Sequence, residues 1–372
     1  MTAAGKLVSK ALTYTSFWNL GLSTVAVPVD ILPEEILVKV KAVSINPIDV
    51  LLQRLSLFFV GSYRKVYGGD YAGVVVKAGK STGYQTGDAV YGYRLAPFSS
   101  EGTFSQYIVI NPKKVILCDK IPEGMLFEQA ASLACTAATG YGVLKMGVTQ
   151  AGKVKTPDLA DALEGKNVLV IGAGTSVGSY AVEFAKKYMR AANVVATCSS
   201  RSLAKIENLG ADVTIDYTQG NYANINQTLE FVKAKGKFDV VVDCVRNEIF
   251  LDYLDVILKD STSDDGGSSG SYCQVYGSKS MNLCSCSIFS IILPSYRSLK
   301  YSLLYSLGLL KHRLYCYKLG YDATFAPVVH SMWKAHLLDT PIDSVHRGWS
   351  NYAEAIHRVG TSKASGKVVC IL

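Results

Sequence analysis

The sequence predicts an α/β protein in which a β-rich first third is followed by a doubly wound parallel-sheet domain. Three observations predict it. Short alternating apolar runs broken by glycine-rich turns fill the chain up to about residue 120. From "NVLVIG" (167–172) onward, near-continuous apolar strands alternate with segments of helical spacing, the pattern of strands buried on both faces. Between the first such strand and its helix lies a glycine-rich turn, "VLVIGAGTSVGSYAVEFAKKY" at 168–188.

Composition narrows the class. The chain has 372 residues, 49% hydrophobic and 18% charged, enough for two domains or one large α/β unit with a sizeable core. The net charge of +8 comes from scattered Lys and Arg with no basic run, which argues against a nucleic-acid partner. "MTAAGKLVSKALTYTSFWN" lacks the unbroken apolar run of a secretory signal, and the nine cysteines read as reduced thiols. A cytoplasmic protein is expected.

In the first third, "EILVKVKAVSI", "YAGVVVKAGK" and "FSQYIVI" read as strands separated by "NPID", "GYQTGD" and "SSEGT". Many short strands with such turns suggest a partly open barrel. After Pro122, "GMLFEQAASLACTAATGYGVLKM" has small and apolar residues at helical spacing. Strand and helix then alternate: "NVLVIG" with "SVGSYAVEFAKKY", "NVVATCSS" with "SLAKIENLG", "FDVVVDCV" with "NEIFLDYLDVILK", and then the strand "GSYCQVYGS". "KDSTSDDGGSSGS" (259–271) reads as a surface loop, and the tail as a helix followed by a last strand.

The turn supports two readings. Val177, Tyr180, Ala181, Phe184 and Tyr188 form one apolar helix face, so Gly172, Gly174 and Gly178 sit where the chain turns, approaches a ligand and packs helix on strand. The helix N-terminus then makes a pyrophosphate site. The spacing G-x-G-x-x-x-G is one residue longer than the usual fingerprint. After the second strand, where an NAD site expects Asp or Glu, stand Ser199, Ser200, Arg201 and Lys205, which suit the 2′-phosphate of NADPH. The rival reading takes Gly174-Thr175-Ser176-Val177-Gly178 as the G-x-S-x-G of a serine hydrolase, with Asp243 and one of His312, His330, His336, His346 or His357 completing a triad. No "HGGG"-like oxyanion segment precedes it, and the β-rich first third has no place in that fold.

"VKVKAVSINPIDV", "GGDYAGVVVKAGKSTGYQTGDAVYG", "GTFSQYIVINPKKV", "IPEGMLFEQAASLACTAATGYGVL", the glycine turn, "NLGADVTIDY" and "GKVVCIL" occur in fixed order. Together they resemble the medium-chain dehydrogenase/reductase superfamily, specifically its zinc-free quinone oxidoreductase-like branch and the fungal members of that branch. The resemblance implies a GroES-like β-barrel catalytic domain (1–135), a Rossmann nucleotide-binding domain (136–324) and a C-terminal return to the catalytic domain (325–372). It places Thr139 by the nicotinamide phosphate, Gly174, Thr175, Ser176, Val177 and Gly178 around the pyrophosphate, Tyr217 over the adenosine and Asn46 by the nicotinamide and substrate carbonyl. Gly277, closing "GSYCQVYGS", completes the expected cofactor set. Where zinc-dependent relatives carry a Cys and a His-Glu pair, this chain has Asn46 and Gly69-Asp70, so no metal is expected. The Cys284-x-Cys286 pair has no matching second pair and reads as structural. Asp49 and Asp70 read as loop-tying carboxylates. The implied chemistry is hydride transfer from NADPH to a quinone or an α,β-unsaturated carbonyl. Leu51 replaces a tyrosine found in some relatives, so no proton donor is nominated.

One segment falls outside this reading. Ser280–Tyr296, "SMNLCSCSIFSIILPSY", has 17 residues without a charge, short of the ~20 apolar residues of a membrane span. Its simpler role is a pocket wall or the interface of a homodimer. Its sharper one is a peripheral contact, through 280–310, with a lipid-droplet or membrane surface, on a scaffold of weak or no activity.

Overall fold

The computed structural model describes residues 6–16, 19–54, 65–94, 101–149, 158–220, 222–260, 269–275, 283–284, 296–310 and 312–372. Strands β1 (Lys6–Tyr14) and β2 (Leu20–Pro28) form an antiparallel hairpin. Next come β3 (Ile36–Ile45), α1 (Pro47–Arg54), β4 (Asp70–Ala78), β5 (Ala89–Tyr93), β6 (Tyr107–Ile110) and β7 (Leu117–Lys120). Nine of the ten β3 positions are at least partly buried, because the strand pairs with β4 and β6 and with a strand from the far end of the chain.

Helix α2 (Phe127–Val148) follows the β-rich part. It is rich in Ala and Gly on its buried side, which lets backbone elements approach it closely. A Cβ at Gly140 would lie 3.0 Å from the Val177 carbonyl and 3.1 Å from the Ala181 nitrogen. The largest apolar cluster joins this helix to both sheets, with Ala42, Ala72 and Tyr91 on one side and Val168, Val170 and Val242 on the other.

The second half alternates as expected: β8 (Asn167–Ile171), α3 (Ser176–Glu183), β9 (Asn193–Cys198), α4 (Leu203–Leu209), β10 (Val213–Asp216), α5 (Ala223–Lys235), β11 (Val240–Asp243), α6 (Leu254–Ile257) and β12 (Ser271–Val275). Then come α7 (Tyr296–Ser306), β13 (Arg313–Tyr317), α8 (Phe325–Lys334), β14 (Ile342–Arg347), α9 (Tyr352–Gly360) and β15 (Lys367–Ile371). Six strands form one all-parallel sheet in the order β10-β9-β8-β11-β12-β13, so the winding reverses between β8 and β11. That order is the doubly wound nucleotide-binding topology. Seven strands form the other sheet, β14-β15-β3-β4-β5-β7 with β6 on β3, so the C-terminal strands return to the first third of the chain. This is a GroES-like unit joined to a Rossmann unit.

Local departures have local causes. "NEIFLDYLDVILK" is a 3-10 segment, Glu248–Tyr253, followed by the short α6. A longer helix would break the return at Leu258, which bridges to Phe238. The helix expected through Tyr188 becomes a π-turn at Phe184–Tyr188, closed by the Met189 N–H on the Phe184 carbonyl at 2.8 Å. β13 and β14 carry no alternation that singles them out, and sequence reading missed both. Of the apolar stretch 280–296, only residues 283, 284 and 296 are described. Beyond it, α7 and the turn after it expose Tyr296, Leu299, Leu303, Leu307 and Leu309. No helix among the described residues is long and apolar enough to cross a membrane.

Candidate cofactor and active site

The glycine turn sits at the carboxyl end of β8, beside the point where the strand order reverses. Gly172 has φ +80°, a left-handed conformation that glycine adopts without strain, and a Cβ there would meet the Val245 side chain at 2.4 Å. Gly178 serves packing: a Cβ would lie 2.4 Å from the Gly172 carbonyl oxygen. Thr175 is the N-cap of α3, its Oγ1 accepting from the Gly178 N–H (3.0 Å) and donating to the Gly172 carbonyl (2.9 Å). The residue by which the turn exceeds the usual spacing is thus accommodated around a capped helix start.

Around this turn lies a cavity of about 320 Å³. It is lined from β8 by Gly172, Gly174 and Thr175, from the end of β9 by Ser199 and Arg201, from beyond β10 by Tyr217 and from beyond β11 by Arg246. Among the described residues its two charged lining residues are Arg201 and Arg246, and no carboxylate lines it. Arg201 is exposed and makes no ion pair among the described residues. Arg246 was not found from the sequence. It lies between the predicted strand "FDVVVDCV" and "NEIFLDYLDVILK", and nothing local marks it.

The other expected cofactor residues that are described do not line this cavity. Ser176 and Val177 occupy the first turn of α3, with Gly178 beneath them. Thr139 Oγ1 bonds back to the Cys135 carbonyl within α2 (2.7 Å), and the Ser200 N–H reaches the Asp216 carboxylate. Lys205 departs most. Its Nζ donates to the carbonyl (2.9 Å) and Oγ (3.1 Å) of Ser365, and burial lowers its pKa to about 8. A half-buried ammonium takes acceptors within reach, and the C-terminal segment supplies them. Gly277 lies outside the described residues.

The hydrolase reading is overturned. No described histidine is bonded to Ser176: His312 pairs with Asp255 (2.8 Å), His330 with Asp119 (3.0 Å), His346 with Ser344 (3.1 Å), and His357 contacts Cys284 (3.7 Å). Asp243 is fully buried and spends its oxygens on Tyr272 Oη (2.7 Å), Gln274 Nε2 (3.3 Å) and the N–H groups of Val245 (3.0 Å) and Asn247 (3.2 Å).

Where β3, β4 and β15 meet α2 lies a buried polar cluster. Asp70 Oδ2 accepts from Lys367 Nζ (2.9 Å), Ser44 Oγ (2.8 Å) and Asn46 Nδ2 (2.7 Å), and its Oδ1 accepts from the Cys135 N–H (2.9 Å). Lys367 also donates to Asn46 Oδ1. Asp49 accepts from the Asn46 N–H (2.8 Å), as the third helical residue reaching back to its cap, and from Asn46 Nδ2 (3.3 Å). Burial pushes Asp49 up to about 7, with the neighbouring Asp70 adding to the rise and the bond from Asn46 opposing it. In this arrangement the Asn46 amide nitrogen donates to Asp49 and Asp70. The expected loop-tying by Asp49 and Asp70 is what these bonds describe. Among the described residues no group of three His, Cys, Asp or Glu could hold a metal ion, and the cation bonded to Asp70 is the Lys367 ammonium.

Residues 32–123 match the alcohol dehydrogenase GroES-like domain, and residues 176–264 the family described as zinc-binding dehydrogenase. The solved quinone oxidoreductase from Coxiella burnetii superposes with a TM-score of 0.72 at 20% identity, covering 98% of this chain and 100% of that one. The solved CurK enoyl reductase gives 0.69 at 19% identity, with 98% and 99% covered. The chain belongs to the medium-chain dehydrogenase/reductase superfamily, an oxidoreductase family built on nicotinamide cofactors. Within it, the chain is 31% identical over 348 residues to Protein YIM1-2 of Lachancea thermotolerans, covering 91% of this chain and 90% of that protein. It is 30% identical over 351 residues to Protein YIM1 of Saccharomyces cerevisiae, covering 90% and 89%.

Proposed function

We propose that the protein is a zinc-independent, NADPH-dependent reductase of quinones or α,β-unsaturated carbonyls. The observation that carries this reading is the charge of the cavity at the strand switch. Its charged lining is cationic, and Arg201 stands where a ribose-binding carboxylate would mark an NAD site. The residues present fit the dinucleotide: Gly172 and Gly178 leave no room for a side chain, and α3 starts directly at the turn, where a helix N-terminus favours a phosphate.

Gly172, Gly174, Thr175, Ser176, Val177 and Gly178 would hold the pyrophosphate, Ser199 and Arg201 the 2′-phosphate, and Tyr217 the adenosine. Thr139 is kept as a proposed contact of the nicotinamide half, and Gly277 as a proposed cofactor residue. The bound cofactor supplies a hydride. The protein's own tasks are to orient the substrate, exclude water and place donors where charge develops on the substrate oxygen. Asn46 can donate there only by releasing Asp49, the longer of its two amide contacts. In this reading 1–135 and 325–372 carry the substrate side and 136–324 the cofactor side, with a small molecule as the partner. A homodimer is read from the family alone.

The test is NADPH and NADH oxidation against a panel of quinones and enones, with Arg201→Ala alongside. Turnover with NADPH, and a rise in its KM of about tenfold or more in the variant with NADH little changed, is expected. Absence of turnover and of cofactor binding would sink the reading. The exposed leucines of α7 would then favour the second reading, a lipid-surface protein, checked by flotation with anionic phospholipid vesicles.

A further inference from the structure

Building on the NADPH reading, we propose that Arg246 is a specificity residue for the cofactor, forming with Arg201 a two-arginine clamp on its 2′-phosphate. The two residues reach the cavity from different strands. Arg201 follows β9 and Arg246 follows β11, and these strands flank β8, which carries the glycine turn. At the ordinary spacing of neighbouring strands the two loops stand about 10 Å apart, within reach of two guanidiniums converging on one phosphate.

The backbone supports a role for this side chain. Arg246 has φ +52°, a left-handed conformation that glycine would take freely and arginine does not. The loop is nonetheless held on both sides of it. The N–H groups of Val245 and Asn247 both donate to Asp243 Oδ1, and the Cys244 N–H donates to the Ile171 carbonyl at the end of β8 (2.9 Å). Asp243 is itself locked by Tyr272 and Gln274. Glu248, two residues on, steers the guanidinium from 3.3 Å. A strained position kept by a rigid support beside a ligand cavity is where a functional side chain is expected. Arg246 keeps Glu248 as a carboxylate partner, while among the described residues no carboxylate lines the cavity itself, so a phosphate entering it would meet a guanidinium.

Arg246→Gly is the variant of choice, since glycine relaxes the backbone and the fold is kept. Binding of NADPH, NADH and adenosine 2′-monophosphate is followed by fluorescence and calorimetry for the wild type, Arg246→Gly, Arg246→Lys and Arg201→Ala. The clamp predicts a loss of about 10- to 100-fold for NADPH and for adenosine 2′-monophosphate in Arg246→Gly, a smaller loss in Arg246→Lys, and NADH within about twofold of wild type. Equal losses for NADPH and NADH would place Arg246 on a phosphate the two cofactors share and overturn the clamp. Unchanged NADPH affinity would overturn it too. If the wild type binds NADPH and only Arg201→Ala weakens it, the clamp fails while the NADPH reading stands. If the wild type binds neither cofactor, both fail.

Discussion

Lys367 and Asp70 form the most deeply buried ion pair among the described residues, with side chains 1% and 0% exposed. A pair so placed is held by the hydrogen bonds to Ser44, Asn46 and Cys135 around it, and removing one partner strands the other. Asp49, beside this pair, carries the testable consequence. Its folded pKa of about 7 lies above the ordinary carboxylate value, so between about pH 4 and pH 7 the folded protein holds a proton that the unfolded chain has released. Stability attributable to this group is therefore present at low pH and is lost as pH rises through that window. The expected size is on the order of 1–3 kcal/mol. Asp49→Asn keeps an acceptor for the Asn46 N–H and removes the titration. Urea unfolding at pH 5 and pH 7.5 should show a smaller drop in the variant than in the wild type, and equal drops would refute the assignment.

The strand–turn–helix unit β8-α3 was legible because each of its signals is local: a buried apolar run, glycines at a turn, then one apolar helix face. What spacing alone did not show is that Thr175 caps the helix, so that the longer turn is a regular one. Gly178→Ala tests the unit. The new Cβ would press on the Gly172 carbonyl at 2.4 Å, and the neighbour is backbone with little room to yield. The expected loss is about 1–3 kcal/mol in unfolding free energy together with weaker NADPH binding. A variant as stable as wild type would show that α3 can shift off the strand. β13 and β14 were not legible. "RLYCY" and "IDSVHR" are short and have mixed polarity, and each is a strand only because β12 or β15 offers it a partner.

Across the whole molecule, the two units are tied at the rim of the cavity around the glycine turn. Ser365, fixed by Asp343 (2.7 Å), which Arg358 clasps at 2.8 and 2.9 Å, meets Ser202 (2.9 Å) and Lys205 of the nucleotide-binding unit. Ser362 and Ala364 of the same segment line the cavity. Lys205 therefore acts as a tie between units. Lys205→Ala is expected to lower the melting temperature by a few degrees while changing the NADPH-to-NADH preference less than Arg201→Ala does. A larger loss of preference than in Arg201→Ala would return Lys205 to the 2′-phosphate.

By itself the sequence determined the fold class, the glycine turn, the cationic residues after the second strand and the lack of thiolate or imidazole at positions 46, 69 and 70. These follow from periodicity and residue chemistry within a few neighbours. The tertiary structure alone decided that Lys205 bonds a segment 160 residues away, that Lys367 reaches Asn46 across 321 residues, and that Arg246 enters the cavity. The reason is physical: once water is excluded, a buried charge or amide takes whichever partner the fold brings to it, and sequence neighbours do not show which that will be.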